Sequence, residues 1–249
     1  MQNTTDIALS RLIAQQRAMD VTANNIANAD TPGFKAERVL FSTWLSRQKL
    51  DPQVPGERTI DYAQDRATYR DNAAGALQTT GNPLDLALAG EGYFTVQTTQ
   101  GVRLTRAGRF SLMPDGTIAD LDGNPLMDTQ GRKLQISPGE TDLSVAGDGT
   151  LSTRNGTVGR IAVVTADTPY ALRAQGGRLF DPGGSPLTPV AAPHITQGAL
   201  EDSNVQPVVE LATMMSTLRE FQYVAGFVQS ESDRMSGAIE KITHSSTGA

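Results

Sequence analysis

The chain of 249 residues contains no cysteine, which excludes disulfides, thiolate nucleophiles and zinc–sulfur centres. Histidine is almost as scarce. His194 and His244 stand far apart in sequence, and no Gly-x-Ser-x-Gly elbow supplies a serine nucleophile for either. Aromatic residues make up only 5% of the chain, with Trp44 the single tryptophan, a thin endowment for a dense enzyme core. The formal net charge is −6, and the basic residues are scattered with no run of Lys or Arg, which argues against a nucleic-acid partner. No apolar run approaches bilayer-spanning length, so no stable membrane insertion is expected. Met1 to Arg17 carries no basic region followed by an apolar one, so export would proceed without a cleaved Sec-type signal.

What the chain does hold is 24 glycines, 13 prolines and two strongly periodic ends. Leu9, Leu12, Gln16, Met19, Ala23 and Ile26 step by three and four, the spacing of a coiled-coil seam. At the other end Leu211, Met214, Leu218, Phe221, Ala225, Val228, Ser232, Met235, Ile239 and Ile242 do the same, behind a Pro207 that suits a first helical turn. A helix with so narrow a seam is marginal alone in water and calls for a partner, within the subunit or across subunits. Leu9, Leu12, Met19 and Ile26 with Leu211, Met214, Leu218, Phe221, Val228 and Met235 are the expected interface residues.

Between the ends the period changes. From 75 to 200, short alternating segments such as Leu84–Leu88, Tyr93–Gln97 and Val102–Thr105 are separated by Gly-rich turns. Asp115-Gly116, Asp122-Gly123 and Asp148-Gly149 are hairpin cues, because tight type I′ turns need positive φ. The expected fold class is therefore α+β and multidomain. A discontinuous, coiled-coil-like domain of N-terminal (1–34) and C-terminal (201–249) helices carries an inserted all-β domain (75–200). Residues 35–74 are read as a connector, irregular or partly helical and then extended, with one short strand at Thr59–Tyr62.

The joint between helix and β domain lies in Ala23–Lys35. Asparagines there compete with the helix for backbone hydrogen bonds, Pro32 excludes αR at Thr31, and Gly33 permits a turn. Pro32, Gly33 and Phe34 form the expected hinge, with Phe34 as apolar anchor and Lys35 to Arg38 returning to water. Nothing in the sequence calls for a cofactor or metal. Asp120-Leu121-Asp122-Gly123-Asn124 lacks the full spacing and closing glutamate of a calcium loop and reads as a turn. As a glycosidase pair, Asp120 and Asp122 have no special reason to reach the required geometry.

Three stretches, in order, resemble one family. Ala23–Lys35 (ANNIANADTPGFK) is similar to the N-terminal signature of the bacterial flagellar axial proteins of rod and hook. Gly81–Val96 with Thr105–Phe110 resembles the β segment of their longer members, and Gly198–Met215 resembles the entry into their last helix. Leu9-Ser10-Arg11 and Leu218–Phe221 look most like the proximal-rod members. The resemblance implies a non-enzymatic subunit of the basal-body rod. It would be exported by the flagellar type III apparatus and assemble in the periplasm with copies of itself and other rod proteins into a torque-transmitting tube. The alternatives are a distal-rod subunit, or a secreted glycan- or ligand-binding β domain oligomerised by its helices.

Overall fold

The computed structural model describes residues 2–48, 58–137, 140, 142–168, 172–176 and 178–246. Two helices bracket a β-rich middle: α1 is Gln2–Ala27 and α2 is Pro207–Ser246, 26 and 40 residues long. Pro207 opens α2, where its missing N–H costs nothing. The chain divides into two compact units. One comprises Met1–Ile26, Glu37–Tyr69 and Gln206–Ala249, and the other Ala27–Ala36 and Arg70–Val205.

The helical unit contains more than helices. Strands β1 (Glu37–Gln48) and β2 (Arg58–Arg70) pair as a two-stranded ribbon where the sequence reads as a connector, so Thr59–Tyr62 is only part of a much longer strand. A ribbon is held by its backbone ladder and needs no apolar face, so the polar composition of 58–70 conceals it. Residues 27–34 and 201–205, expected with the helices, belong to the β unit.

In the β unit a six-stranded antiparallel sheet runs in the order Arg173–Gln175, Leu179–Asp181, Gly101–Thr105, Tyr93–Thr98, Val163–Ala166, Leu187–Pro189. Alternation along the strands divides the apolar side chains between two faces. Phe94, Val96 and Val163 enter a main core with Leu86, Phe110, Ile118, Leu126, Leu151 and Ile161. Leu104, Val164 and Ala166 pack with Leu172 and Phe180 in a second core. Smaller pairings close the ends, among them Leu77–Thr79 with Ala199–Glu201 and Leu86–Leu88 with Ile195–Gln197.

The Asp-Gly cues mark a duplicated hairpin. Ser111 pairs with Ala119 and Leu112 with Ile118; 33 positions further on, Ser144 pairs with Ser152 and Val145 with Leu151. In the first copy the Met113 N–H donates to Thr117 O at 2.8 Å and that of Gly116 to Met113 O at 2.9 Å. In the second, Ala146 donates to Thr150 O and Gly149 to Ala146 O, both at 2.9 Å. Asp115 accepts the Thr117 N–H at 3.0 Å and its hydroxyl at 2.9 Å, and Asp148 does the same with Thr150 at the same distances. Ile118 and Leu151, the residues after each Thr, are both buried in the main core.

Those threonine bonds, backbone N–H first and hydroxyl second, hold the Asp115 and Asp148 carboxyls below their ordinary range. Because the folded-state value is the lower one, their stabilisation is present at neutral pH and fades as pH falls through the lowered values. An Asp115→Asn/Asp148→Asn variant should therefore melt lower than wild type at neutral pH, the gap closing as pH drops well below about 3.9. Melting curves across that range check it, and a gap independent of pH would refute it.

Candidate assembly site at the chain joint

The turn after α1 lies in the β unit and is built from short-range bonds. Thr31 N–H donates to Asn28 O and Phe34 N–H to Thr31 O, each at 3.1 Å. Gly33 sits at φ 71° and donates its N–H to Glu201 O at 2.7 Å. A β-carbon on Gly33 would lie 2.3 Å from the Arg106 carbonyl carbon and 2.6 Å from Ala107 N, so glycine is required by space as well as by conformation. Pro32 is half-buried; Phe34 is buried with Ala36 and Val205, and Ala29 packs against them.

Lys35 does not return to water. It is 3% exposed, and its ammonium donates to Glu201 Oε1 at 2.5 Å and to Ala73 O at 2.8 Å. Arg106 ion-pairs with the other Glu201 oxygen at 3.5 Å, and Glu201 itself is 1% exposed. Burial pushes the Lys35 amine below its ordinary range, with Arg106 adding to the effect; the hydrogen bond and charge of Glu201 oppose it. Asn204 stitches backbone together. Its Oδ1 accepts the Ala36 N–H at 2.7 Å, and its Nδ2 donates to Asp71 O at 2.8 Å and Ala73 O at 3.0 Å.

The helical unit has its own buried polar knot. Of the asparagines expected to weaken the helix, Asn24 and Asn25 lie inside α1, and Asn25 is 1% exposed. Its amide accepts the Glu37 N–H at 2.8 Å and donates to Glu37 O at 2.9 Å, an imitation of a β-ladder pair that satisfies the start of β1. Glu210, equally buried, accepts from Arg38 at 2.6 Å and from Asn25 Nδ2 at 3.5 Å. Gln15 donates to Glu220 at 3.3 Å, and Arg11 lies 3.8 Å from the same carboxylate. These contacts link rising numbers in α1 to falling ones in α2, so the helices run antiparallel.

The expected interface residues separate into two sets. Leu12, Met19, Ile26, Met214, Phe221 and Val228 are half-buried, whereas Leu9, Leu211, Leu218 and Met235 are exposed. At 100° per residue, Met214, Phe221 and Val228 share one line of α2, and Leu211 and Leu218 lie on another. Val208 and Met215 lie beside this outer line, on the side away from Met214, and both are exposed. The α1 residues buried deepest include Ala8, Ala14, Gln15, Val21, Thr22 and Asn25, which are small or polar and escape a search for large apolar residues. Sequence reasoning missed Lys35 and Asn25, reading the first as a surface lysine and the second as a helix-weakening residue, and their partners Glu201, Arg106 and Glu210 carry no local signal either. Asp120, whose carboxylate accepts the N–H groups of Asp122 and Asn124, shapes its own turn, and Asp122 pairs with Arg178 at 2.8 Å.

Terminal helices and a β-rich middle define the class as an α+β protein. Comparison with known proteins supplies the family. Residues 6–35 match a family described as flagella basal body rod protein, 87–153 the D1 domain of flagellar hook protein FlgE/F/G, and 196–240 the C-terminal region of flagellar basal body rod FlgEFG protein. The flagellar basal-body rod protein FlgF of Caulobacter vibrioides is 33% identical, covering 97% of this chain and 98% of the relative. FlgF of Mesorhizobium japonicum is 31% identical over the same shares, and FlgG of Bacillus subtilis is 32% identical over 83% and 86%. The chain belongs to the flagellar basal-body rod protein family. Lys35, Arg106 and Glu201 each come from a different one of the three matched segments.

Proposed function

We propose that this chain is a structural, non-enzymatic subunit of the bacterial flagellar basal-body rod, in its proximal part. It associates with copies of itself and with other rod proteins through its terminal helices and transmits torque in the periplasm. Delivery would be through the flagellar type III export apparatus, without a cleaved signal. The terminal helices, Gln2–Ala27 and Pro207–Ser246, supply the rod core and the β unit the outer layer. Full-length similarity to relatives named FlgF supports the placement. The observation that carries the assembly reading is the outer stripe of α2. Val208, Leu211, Met215 and Leu218 are all exposed, at helical spacing, on a helix already bonded to α1 elsewhere. Such a stripe gains stability only when a further helix covers it. Among the described residues no helix is long and apolar enough to cross a membrane.

Leu218→Asp tests this. Leu218 is 44% exposed, so the variant should fold with an unchanged melting temperature. Incorporation into isolated basal bodies and swimming should be lost, because a carboxylate buried against apolar side chains has no counter-charge. Normal motility would overturn the reading.

A further inference from the structure

Of the asparagines in this chain, Asn155 alone precedes a glycine. Asn82 and Asn124 precede prolines, whose nitrogen carries no proton, and the others precede residues whose β-carbon crowds the amide nitrogen. Asn155 stands at a hairpin tip. Thr150–Thr153 pairs with Gly156–Arg160, Arg154 and Asn155 make the two-residue turn, and Thr153 with Gly156 is the last pair of the ladder. Arg154, Asn155 and Gly156 are all exposed. Gly156 sits at φ 131°, and a β-carbon there would meet only open space. The two turn residues also hold acidic neighbours. Arg154 ion-pairs with Asp142, and the Asn155 side-chain amide donates to Glu140 Oε1 at 2.7 Å. Hydrogen bonds from Thr153 first and Asn155 second hold the Glu140 carboxyl below its ordinary range. The Asp-Gly turns differ in kind, because a carboxylate kept ionised by its threonine, as at Asp115 and Asp148, is a poor electrophile beside a neutral amide.

We propose that Asn155 is a site of spontaneous deamidation in the folded chain, and that the change parts Glu140 from the hairpin tip. The Gly156 backbone nitrogen gives up its proton and bonds to Asn155 Cγ. The Cγ–Nδ2 bond breaks, the departing nitrogen takes a proton from water, and ammonia leaves. Water then opens the five-membered imide at either carbonyl, giving aspartate or, with the backbone rerouted through Cγ, isoaspartate. Water is the only co-reactant, and nothing is oxidised or reduced. A donor facing Glu140 is thereby exchanged for a carboxylate, and Arg154 is left facing Asp142, Glu140 and the new charge. Two carboxylates repel where donor and acceptor met, so the contact opens. Isoaspartate also adds a methylene to the main chain of a two-residue turn, which disturbs the pairing of Thr153 with Gly156.

The test ages the full-length chain for days at mildly alkaline pH, then maps it by mass spectrometry after pepsin digestion in acid. A synthetic peptide of residues 150–160, aged alongside, gives the rate without the fold. Amide loss in the full chain should fall first on residue 155, with isoaspartate among the products. Asn155→Gln should remove the acidic species that ion exchange resolves. The site is overturned if another asparagine reacts first, or if residue 155 keeps its amide while the peptide loses it. Asn155→Asp, at an exposed position, should fold normally and be cut after Glu140 by a glutamate-specific protease several-fold faster than wild type. Cutting of that variant at the wild-type rate overturns the parting of Glu140 from the tip.

Discussion

Glu201→Leu should destabilise the β unit by about 3–5 kcal/mol, the usual cost of stripping the counter-charge from a buried ion pair. The loss is this large because two cations depend on one carboxylate. Among the described residues, Lys35 would keep its hydrogen bond to the Ala73 carbonyl, and Arg106 those to the carbonyls of Leu88 and Gly90, with no carboxylate bonded to either. The Gly75 N–H, which donates to Glu201 Oε1 at 3.1 Å, would lose its acceptor as well. Replacing the whole group, Lys35→Met with Arg106→Met and Glu201→Leu, should recover most of the loss, because the desolvation cost disappears with the charges. Amide exchange at Leu104, a fully buried core residue of the same unit, measures both variants under native conditions. A loss below about 1 kcal/mol for Glu201→Leu would show that water reaches the cations and that the group is not buried in solution.

Gly33→Val should be nearly as damaging, through backbone rather than charge. Positive φ costs a non-glycine residue roughly 1–2 kcal/mol, and overpacking against fixed backbone roughly 1–3 kcal/mol more. The atoms in the way are main chain at Arg106 and Ala107, which cannot rotate aside as a side chain could. Yielding would also draw Arg106 away from Glu201. Gly33→Asn separates the two contributions. Asparagine tolerates the left-handed region but still carries a β-carbon, so it should retain most of the loss. Urea unfolding of both variants decides the matter: if Asn restores wild-type stability, conformation and not contact makes glycine necessary here.

The parts legible in sequence are those with local periodicity. Both helices followed from apolar steps of three and four, and the hairpins from Asp-Gly pairs, because these patterns repeat within a few residues. Long-range pairing had no such trace. Lys35 looked like a surface lysine because the carboxylate that buries it lies 166 positions away. Asn25 looked like a helix breaker because the backbone it satisfies belongs to the next element. In the β1–β2 ribbon, the second strand escaped because its largely polar residues carry no burial signal, and the apolar first strand, Val39 to Leu45, has no strict alternation to mark it. On α2 the single expected seam concealed two lines, since heptad spacing alone does not say which line faces α1 and which is left exposed.

The discontinuous unit has a consequence for the order of events during synthesis. All but ten residues of the β unit lie in one stretch, Arg70–Val205, which can collapse as it emerges. The helical unit draws on both ends of the chain, so α1, among the first residues made, must wait for α2 among the last. Alone it is only marginally helical, and closing so long a loop adds an entropic delay. A nascent chain therefore carries a finished β body and an unfinished helical one until α2 has been made, and truncation ahead of Glu210 leaves the first-made segment without the α2 residues it bonds to.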